Sequence, residues 1–569
     1  MFRKTSFLIL QFIIVAIPAS LIFYYALNAG ALPDNDYWTS ISDILTEHGG
    51  FSSNISDWVK RNNEHYVLLT KLVYALNIVI TGGSNVGLSL FTWFMALLQV
   101  LMLYHVIPVK HKQHPALFVV LLLVVAIFLF SPRQAHNWIL GMSGTAWISA
   151  NFFSLGAILA LQYYASTAKL SYYWATFALS LCAIATYSTS LALFPTLIIA
   201  VLLLKLKRQD QVVIAVFSVV MVSLYLLSYS KPTNHPDIQN SFSAFLTYFV
   251  AFIGALFNLK LEAALFSGTF GLISSLAMSV YTYRKRTFWP VIIPWICIQL
   301  YVCGNAAMAS LARSGFGVEQ AFSSRYSALP ALFWLAWVMI ASTVCLQQRL
   351  NYRKLSLFIL LSVSSVIVFN TYRIGLLSAK ILLERVEHKS LALASIYSHA
   401  YDLELIQKTV LPGNSELQME RLTQLLEANQ HIPFNGVFEG CPKVGESITE
   451  SAIIDTQKFF GSFDQMVRRN GFVIEVKGWA YNNGAKPICL AVTNHNNIVR
   501  GVAHYGLKRA DIPKAISRVL SDDTGWQGYG KVHNHDKMIK VFMLTSIGRW
   551  LQLDGRYQIG GQLPYYHKI

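Results

Sequence analysis

Between Ser6 and Leu377 the chain is a succession of long apolar runs, with short basic loops at alternate connections. The runs cover roughly 15 to 23 residues, most of them as helix enough to cross a hydrocarbon core of about 30 Å. Inside a bilayer every backbone N–H and C=O must be satisfied within the protein, so such runs fold as helices packed into a bundle. Composition agrees: 54% of residues are hydrophobic and 13% charged, against about a quarter charged in soluble domains. The formal net charge of +17 does not point to nucleic acid. Much of the excess sits in the loops between apolar runs, where basic residues mark the cytoplasmic side.

Those basic sites are Arg3-Lys4, Lys110/Lys112, Lys169, Lys205/Lys207/Arg208, Arg284-Lys285-Arg286 and Arg349/Arg353/Lys354. One path keeps all of them inside. It predicts spans at Ser6–Leu27, Val86–Ile107, Ala116–Phe130, Ala146–Tyr164, Tyr172–Ser188, Ala192–Leu206, Val212–Leu227, Ala264–Tyr281, Phe288–Val302, Tyr326–Leu346 and Leu355–Leu377. The expected fold is therefore mainly α, a polytopic bundle of about eleven spans with its N-terminus in the cytoplasm and its C-terminus outside. Two further apolar segments, Tyr66–Ile80 and Phe242–Leu259, are short and carry polar residues. They are expected to lie in or re-enter the outer membrane surface. If only one of them spanned, every basic cluster beyond it would move outside. The first run is longer than the apolar part of a secretion signal, which favours an uncleaved span.

Beyond Leu377 the pattern changes. The expected organisation is a transmembrane module over 1–378 with an outer loop at 28–85, an amphipathic helical stalk over 379–435, and an extracytoplasmic β-rich domain over 436–569. Pro412-Gly413-Asn414 interrupts the stalk, and Ser415 with Gln418 has the spacing of a capping box. Phe472–Lys477, Ile488–Thr493, Met538–Leu544 and Trp550–Leu553 read as strands of a small β-sandwich, with His495-Asn496-Asn497 as a hairpin turn. Of six cysteines, Cys182, Cys297, Cys303 and Cys345 fall in or beside spans. Cys441 and Cys489 share the β domain and pair in an oxidising compartment if their backbones come close enough. No CxxC or HExxH spacing indicates a metal site.

The outer loops of this topology collect candidate chemistry. The first opens with Asp34-Asn35-Asp36-Tyr37-Trp38 and continues to Glu64 and His65. The second carries Arg133 and Trp138, and a later one carries Arg313 and Arg325. Carboxylates can take a proton and guanidiniums can grip a phosphate through two oxygens.

Asn63-Glu64-His65-Tyr66 with Thr70-Lys71-Leu72, Ser131-Pro132-Arg133-Gln134 through Trp138 and Gly141, and Ser324-Arg325-Tyr326 through Trp334 resemble stretches of multi-span bacterial proteins of the GT-C superfamily of membrane glycosyltransferases. Gly478-Trp479-Ala480, Arg509-Ala510-Asp511-Ile512 and Gly525-Trp526 are similar to an outer β domain of bacterial surface-polysaccharide proteins. The resemblance implies transfer of a sugar from a polyprenyl-phosphate-linked donor to a surface glycan or lipid-linked acceptor on the outer face of the inner membrane. It implies an aspartate or glutamate of the first outer loop as base, here Asp34 or Asp36. Arg133, Arg313 and Arg325 would bind phosphate, with Glu64, His65 and Trp138 near the substrate. No cofactor follows, beyond a divalent ion that Asp34 and Asp36 could share.

Each role has a structural competitor. Asp34 and Asp36 beside Pro33 also serve as turn or cap residues, Glu64 and His65 as residues that orient the surface helix rather than perform chemistry, Arg325 as a headgroup anchor, and the tryptophans as an interfacial belt. Trp479, Tyr505, Trp526 and Tyr529 suit either sugar stacking or a core. A polysaccharide polymerase or ligase would share the lipid donor without needing a first-loop aspartate. A flippase would be expected to carry charge at mid-membrane, which these spans nearly lack.

Overall fold

The computed structural model describes residues 2–109, 114–231, 236, 241–257, 259–286, 288–411, 413, 415–449, 452–453, 461–482, 485–516 and 521–559. Lys110, Lys112, Pro412 and Asn414 fall outside them. Among the described residues nine helices are long and apolar enough to cross a membrane: Phe7–Leu27, Asn85–Tyr104, Pro115–Ile139, Gly141–Thr167, Arg208–Leu227, Leu261–Lys285, Trp289–Phe316, Ala328–Leu346 and Tyr352–Tyr397. Each overlaps an expected span.

The two remaining spans of the expected path fall on shorter helices, Leu170–Thr186 and Ser188–Leu203. Tyr187 is the reason they part, because its extended backbone at φ −164° and ψ 150° ends one helix before a 3-10 turn, Ser188–Ala192, opens the next. The two segments set aside as surface or re-entrant form the helices Leu68–Thr81 and Phe242–Gly254. At 1.5 Å per residue these reach only about 20 Å, short of a bilayer core.

Contacts divide the chain into two compact units. The first comprises Met1–Ala29, Ile55–Tyr74 and Val86–Leu383. Its interior is packed with large side chains such as Trp295, Tyr301 and Trp334, while Phe266, Ile273 and Phe358 stand exposed on helix surfaces. Apolar residues facing outward along the long helices are what a lipid solvent selects.

The second unit comprises Gly30–Asn54, Ala75–Asn85 and Glu384–Ile569. Its helical part holds the loop residues by side-chain caps. Asn429 donates to the Thr46 carbonyl at 2.9 Å and accepts from the Gly50 N–H at 2.7 Å, and Asn435 donates to the Thr81 carbonyl at 3.1 Å. The helix Glu416–Ala428 opens with the capping box expected from Ser415 and Gln418.

The rest of this unit is one antiparallel sheet of eight strands: β1 (Gly461–Arg468), β2 (Val473–Ala480), β3 (Cys489–Asn494), β4 (Val499–Leu507), β5 (Gly525–Lys531), β6 (Met538–Leu544), β7 (Trp550–Gln552) and β8 (Tyr557–Gln558). Their order is β1-β2-β5-β4-β3-β6-β7, with β8 also on β6. The sheet curls until its ends meet, since Phe463 of β1 donates to the carbonyl of Asp554, just past β7, at 2.7 Å. Phe463, Ile474, Leu490, Trp526 and Val541 fill the largest of its buried clusters, and smaller ones cover the other face of the strands. A curled sheet therefore stands where two facing layers were expected. The β3–β4 hairpin turns at Asn497, whose φ of 59° suits asparagine. Cys441 and Cys489 form a disulfide with Cα atoms 5.2 Å apart.

Candidate functional site

In the first unit a tight turn sets the site. Asn62-Asn63-Glu64-His65 closes on itself, the His65 N–H donating to the Asn62 carbonyl at 2.9 Å, with Asn63 at φ 50°. Asparagine tolerates that left-handed conformation better than most residues. The turn buries Glu64 while Asn63 stays exposed.

The Glu64 carboxylate accepts from the Arg313 guanidinium, and His65 Nε2 lies 3.4 Å from the same oxygen. Their side chains keep 12%, 17% and 13% exposure for Glu64, Arg313 and His65, so the group is sheltered yet within reach of solvent or substrate. The other ring nitrogen of His65 shares a hydrogen bond with Ser188, and its ring packs on Tyr187 with centroids 4.0 Å apart. Tyr225 donates to the Glu64 carbonyl. Arg61 lies over the rings of Tyr66 and Tyr225, at 4.1 and 5.0 Å from their centroids. From His65 an aromatic series continues through Tyr187 and Trp147 to Tyr326, with centroid spacings of 5.3 and 5.2 Å. Arg325 reaches the Tyr326 hydroxyl at 3.4 Å. A carboxylate, an imidazole and guanidiniums thus share one aromatic-lined region, equipped to move a proton and to hold an anion.

The segment after the Pro115–Leu129 helix supports this region. The guanidinium of Arg133 donates to the carbonyls of Ala255 at 3.3 Å and Phe322 at 2.8 Å, Ser324 accepts from the His136 N–H at 3.2 Å, and Asn137 donates to the Arg325 carbonyl at 3.0 Å. Three consecutive anchors therefore fix the backbone that leads into Arg325. Close approach demands glycine here. A Cβ on Gly375 would sit 2.3 Å from the Arg133 nitrogen, and one on Gly144 would sit 2.1 Å from the Asn137 carbonyl oxygen. Arg133 is 1% exposed and bonds to backbone through Nη2, while its buried Nε has no hydrogen-bond partner among the described residues. It is a strut in this structure rather than a presented phosphate ligand. Trp138 is likewise buried, its indole N–H donating to the Ser131 carbonyl at 2.7 Å, which leaves no ring face open to a sugar.

The two aspartates belong to the second unit. Asp34 pairs with Lys389 at 2.5 Å, with side chains 11% and 5% exposed. Burial pushes the Asp34 carboxyl above the ordinary aspartate range, against the opposing pull of Lys389 and Arg385. Asp36 is exposed and opens the helix Asp36–Ile44, where a negative charge favours the helix dipole. Behind it, Tyr37 donates to His431 at 2.8 Å while Trp38 donates to the Pro33 carbonyl at 3.0 Å. Burial holds His431 down at about 4, so it is neutral and accepts from Tyr37. Asp34 faces Lys389 while Asp36, two residues on, is exposed at the start of its helix. Among the described residues no group of three or more His, Cys, Asp or Glu side chains is placed to hold a metal ion.

The β-domain aromatics Trp479, Trp526 and Tyr529 are buried in its cores. Sequence reasoning passed over Tyr187, Ser188 and Tyr225, which border the site. Their only signal was polarity at the ends of apolar runs. No protein-family model matches this chain, and no curated protein matches it.

Proposed function

We propose that this protein is a polytopic membrane glycosyltransferase, similar in plan to the GT-C superfamily. In this reading it moves a sugar from a polyprenyl-phosphate donor to a surface glycan or lipid-linked acceptor. It works at the outer face of a bacterial inner membrane, with its N-terminus in the cytoplasm and the β-rich unit outside. The observation that carries the reading is the Glu64 carboxylate held between His65 and Arg313, in a loop that the resemblance assigns to the base.

The reaction follows from those groups. The donor phosphate competes for Arg313, which frees Glu64 to accept the proton of the acceptor hydroxyl. The hydroxyl oxygen attacks the anomeric carbon as the bond from that carbon to the phosphate oxygen breaks, and the departing phosphate keeps the electron pair. Arg313 and Arg325 neutralise the charge that develops on it. His65, tied to Ser188 and stacked on Tyr187, orients the carboxylate. Both carboxylates are paired, Asp34 with Lys389 and Glu64 with Arg313; Glu64 is preferred in this scheme because its partner is itself a guanidinium that a phosphate can engage, and because His65 lies beside it.

The Asp34 pairing also supports a second reading, a lipid-linked polysaccharide ligase or polymerase, which would use the same arginines without a first-loop aspartate. Glu64→Gln keeps the size of the side chain and removes its basicity. Transfer from a polyprenyl-phosphate sugar in membranes should fall about 10²- to 10⁴-fold, with unchanged membrane insertion. Full transfer by that variant would sink the assignment.

A further inference from the structure

Tyr248 sits on the Phe242–Gly254 helix, 1% exposed, and its hydroxyl is buried with no hydrogen-bond partner among the described residues. A phenol is normally bonded when buried, since an unmet donor is costly. Its neighbours indicate what would meet it. The helix packs against the two 3-10 turns, Ser314–Phe316 and Val318–Phe322, that lie between Arg313 and Arg325. Phe252 of the same helix packs on Tyr326 with centroids 5.8 Å apart, and Arg325 donates to the Tyr326 hydroxyl. Both guanidiniums lie within Coulombic reach of the Tyr248 oxygen. The unmet Tyr248 hydroxyl thus lies on a helix packed against the turns that join two guanidiniums, one of them paired with Glu64, and a phosphate that draws Arg313 from Glu64 would also supply the acceptor the phenol lacks.

We propose that Tyr248 is a third ligand, with Arg313 and Arg325, for a phosphate-type oxyanion. This rests on the transferase reading only in naming the anion as the phosphate of a lipid-linked donor. A phosphate oxygen accepting from the phenol would satisfy the buried hydroxyl at the moment of binding, and its remaining oxygens would face the guanidiniums.

The test compares the purified full chain with Tyr248→Phe in detergent, titrating farnesyl phosphate and, separately, inorganic phosphate. The expected result is farnesyl phosphate affinity lower on the order of 10-fold in the variant, while the melting temperature without ligand is unchanged or raised because an unmet hydroxyl has gone. An equal loss with inorganic phosphate would place recognition in the headgroup alone, and binding of only the lipid form would identify a membrane-borne ligand. Equal affinity of both proteins for the probes, or no binding of either probe to the unmodified chain, overturns the proposal. Because binding is read rather than transfer, the result is separable from the fate of Glu64. Glu64→Gln should lose transfer and still bind farnesyl phosphate. A chain that binds the probe through Tyr248 but transfers nothing would overturn the transferase reading alone.

Discussion

Asp34 and Lys389 bury opposite charges against each other, and removing one member of such a pair strands the other. Asp34→Asn should therefore cost about 3–5 kcal/mol of stability. Asp34→Asn combined with Lys389→Met should recover much of that loss, as resolved by denaturation of the four proteins of the cycle. If Asp34→Asn instead abolished glycan product at full stability, Asp34 would be the base and the role given to Glu64 would fall. The sequence displays Asp34 and Glu64 alike, as carboxylates in one outer loop. What separates them is partnership with Lys389 or Arg313, residues distant along the chain, and nothing local encodes that. Arg133 makes the same point. Its partners are the carbonyls of Ala255 and Phe322, and a backbone carbonyl has no letter in the sequence.

The long helices were legible because a bilayer demands continuous apolarity, and each of the nine announces itself without help from neighbours. The break near Tyr187 was legible too, because the polar run Thr186-Tyr187-Ser188-Thr189-Ser190 parts two apolar stretches, though its position at an extended Tyr187 was read a few residues late. Among strands, β6 and most of β2 and β3 carry the apolar, β-branched signal, whereas β5 reads Gly-Trp-Gln-Gly-Tyr-Gly-Lys and looks like loop. Those glycines are a packing requirement. A Cβ at Gly528 would meet Ala503 of the neighbouring β4 strand at 2.5 Å. The capping box at Ser415 was readable because its partners are three residues apart. Ser415→Ala leaves an N-terminal N–H of the Glu416–Ala428 helix without its cap and should cost about 1 kcal/mol, measurable as a lower unfolding midpoint. Ser415→Asp should keep most of the stability, because a carboxylate both caps and complements the helix dipole.

At the scale of the molecule, the basic loops and the Cys441–Cys489 disulfide make one joint prediction about orientation. In the proposed orientation the N-terminus is cytoplasmic and the β-rich unit outside, as the charge rule would have it, and a structural disulfide persists where the compartment is oxidising. The remaining cysteines, Cys182, Cys297, Cys303 and Cys345, are free thiols. Protein taken from cells under denaturing, non-reducing conditions should accordingly gain four maleimide adducts, and six only after reduction. Replacing Cys441 and Cys489 by serine should remove the difference. It should also destabilise the β-rich unit by about 4 kcal/mol, the loss expected when a loop of this length is no longer closed. Should all six thiols react without reductant, the β-rich unit would lie on the reducing side. The basic loops would then face outward against the charge rule, and a site beside Glu64 could not draw on a donor presented at the outer surface.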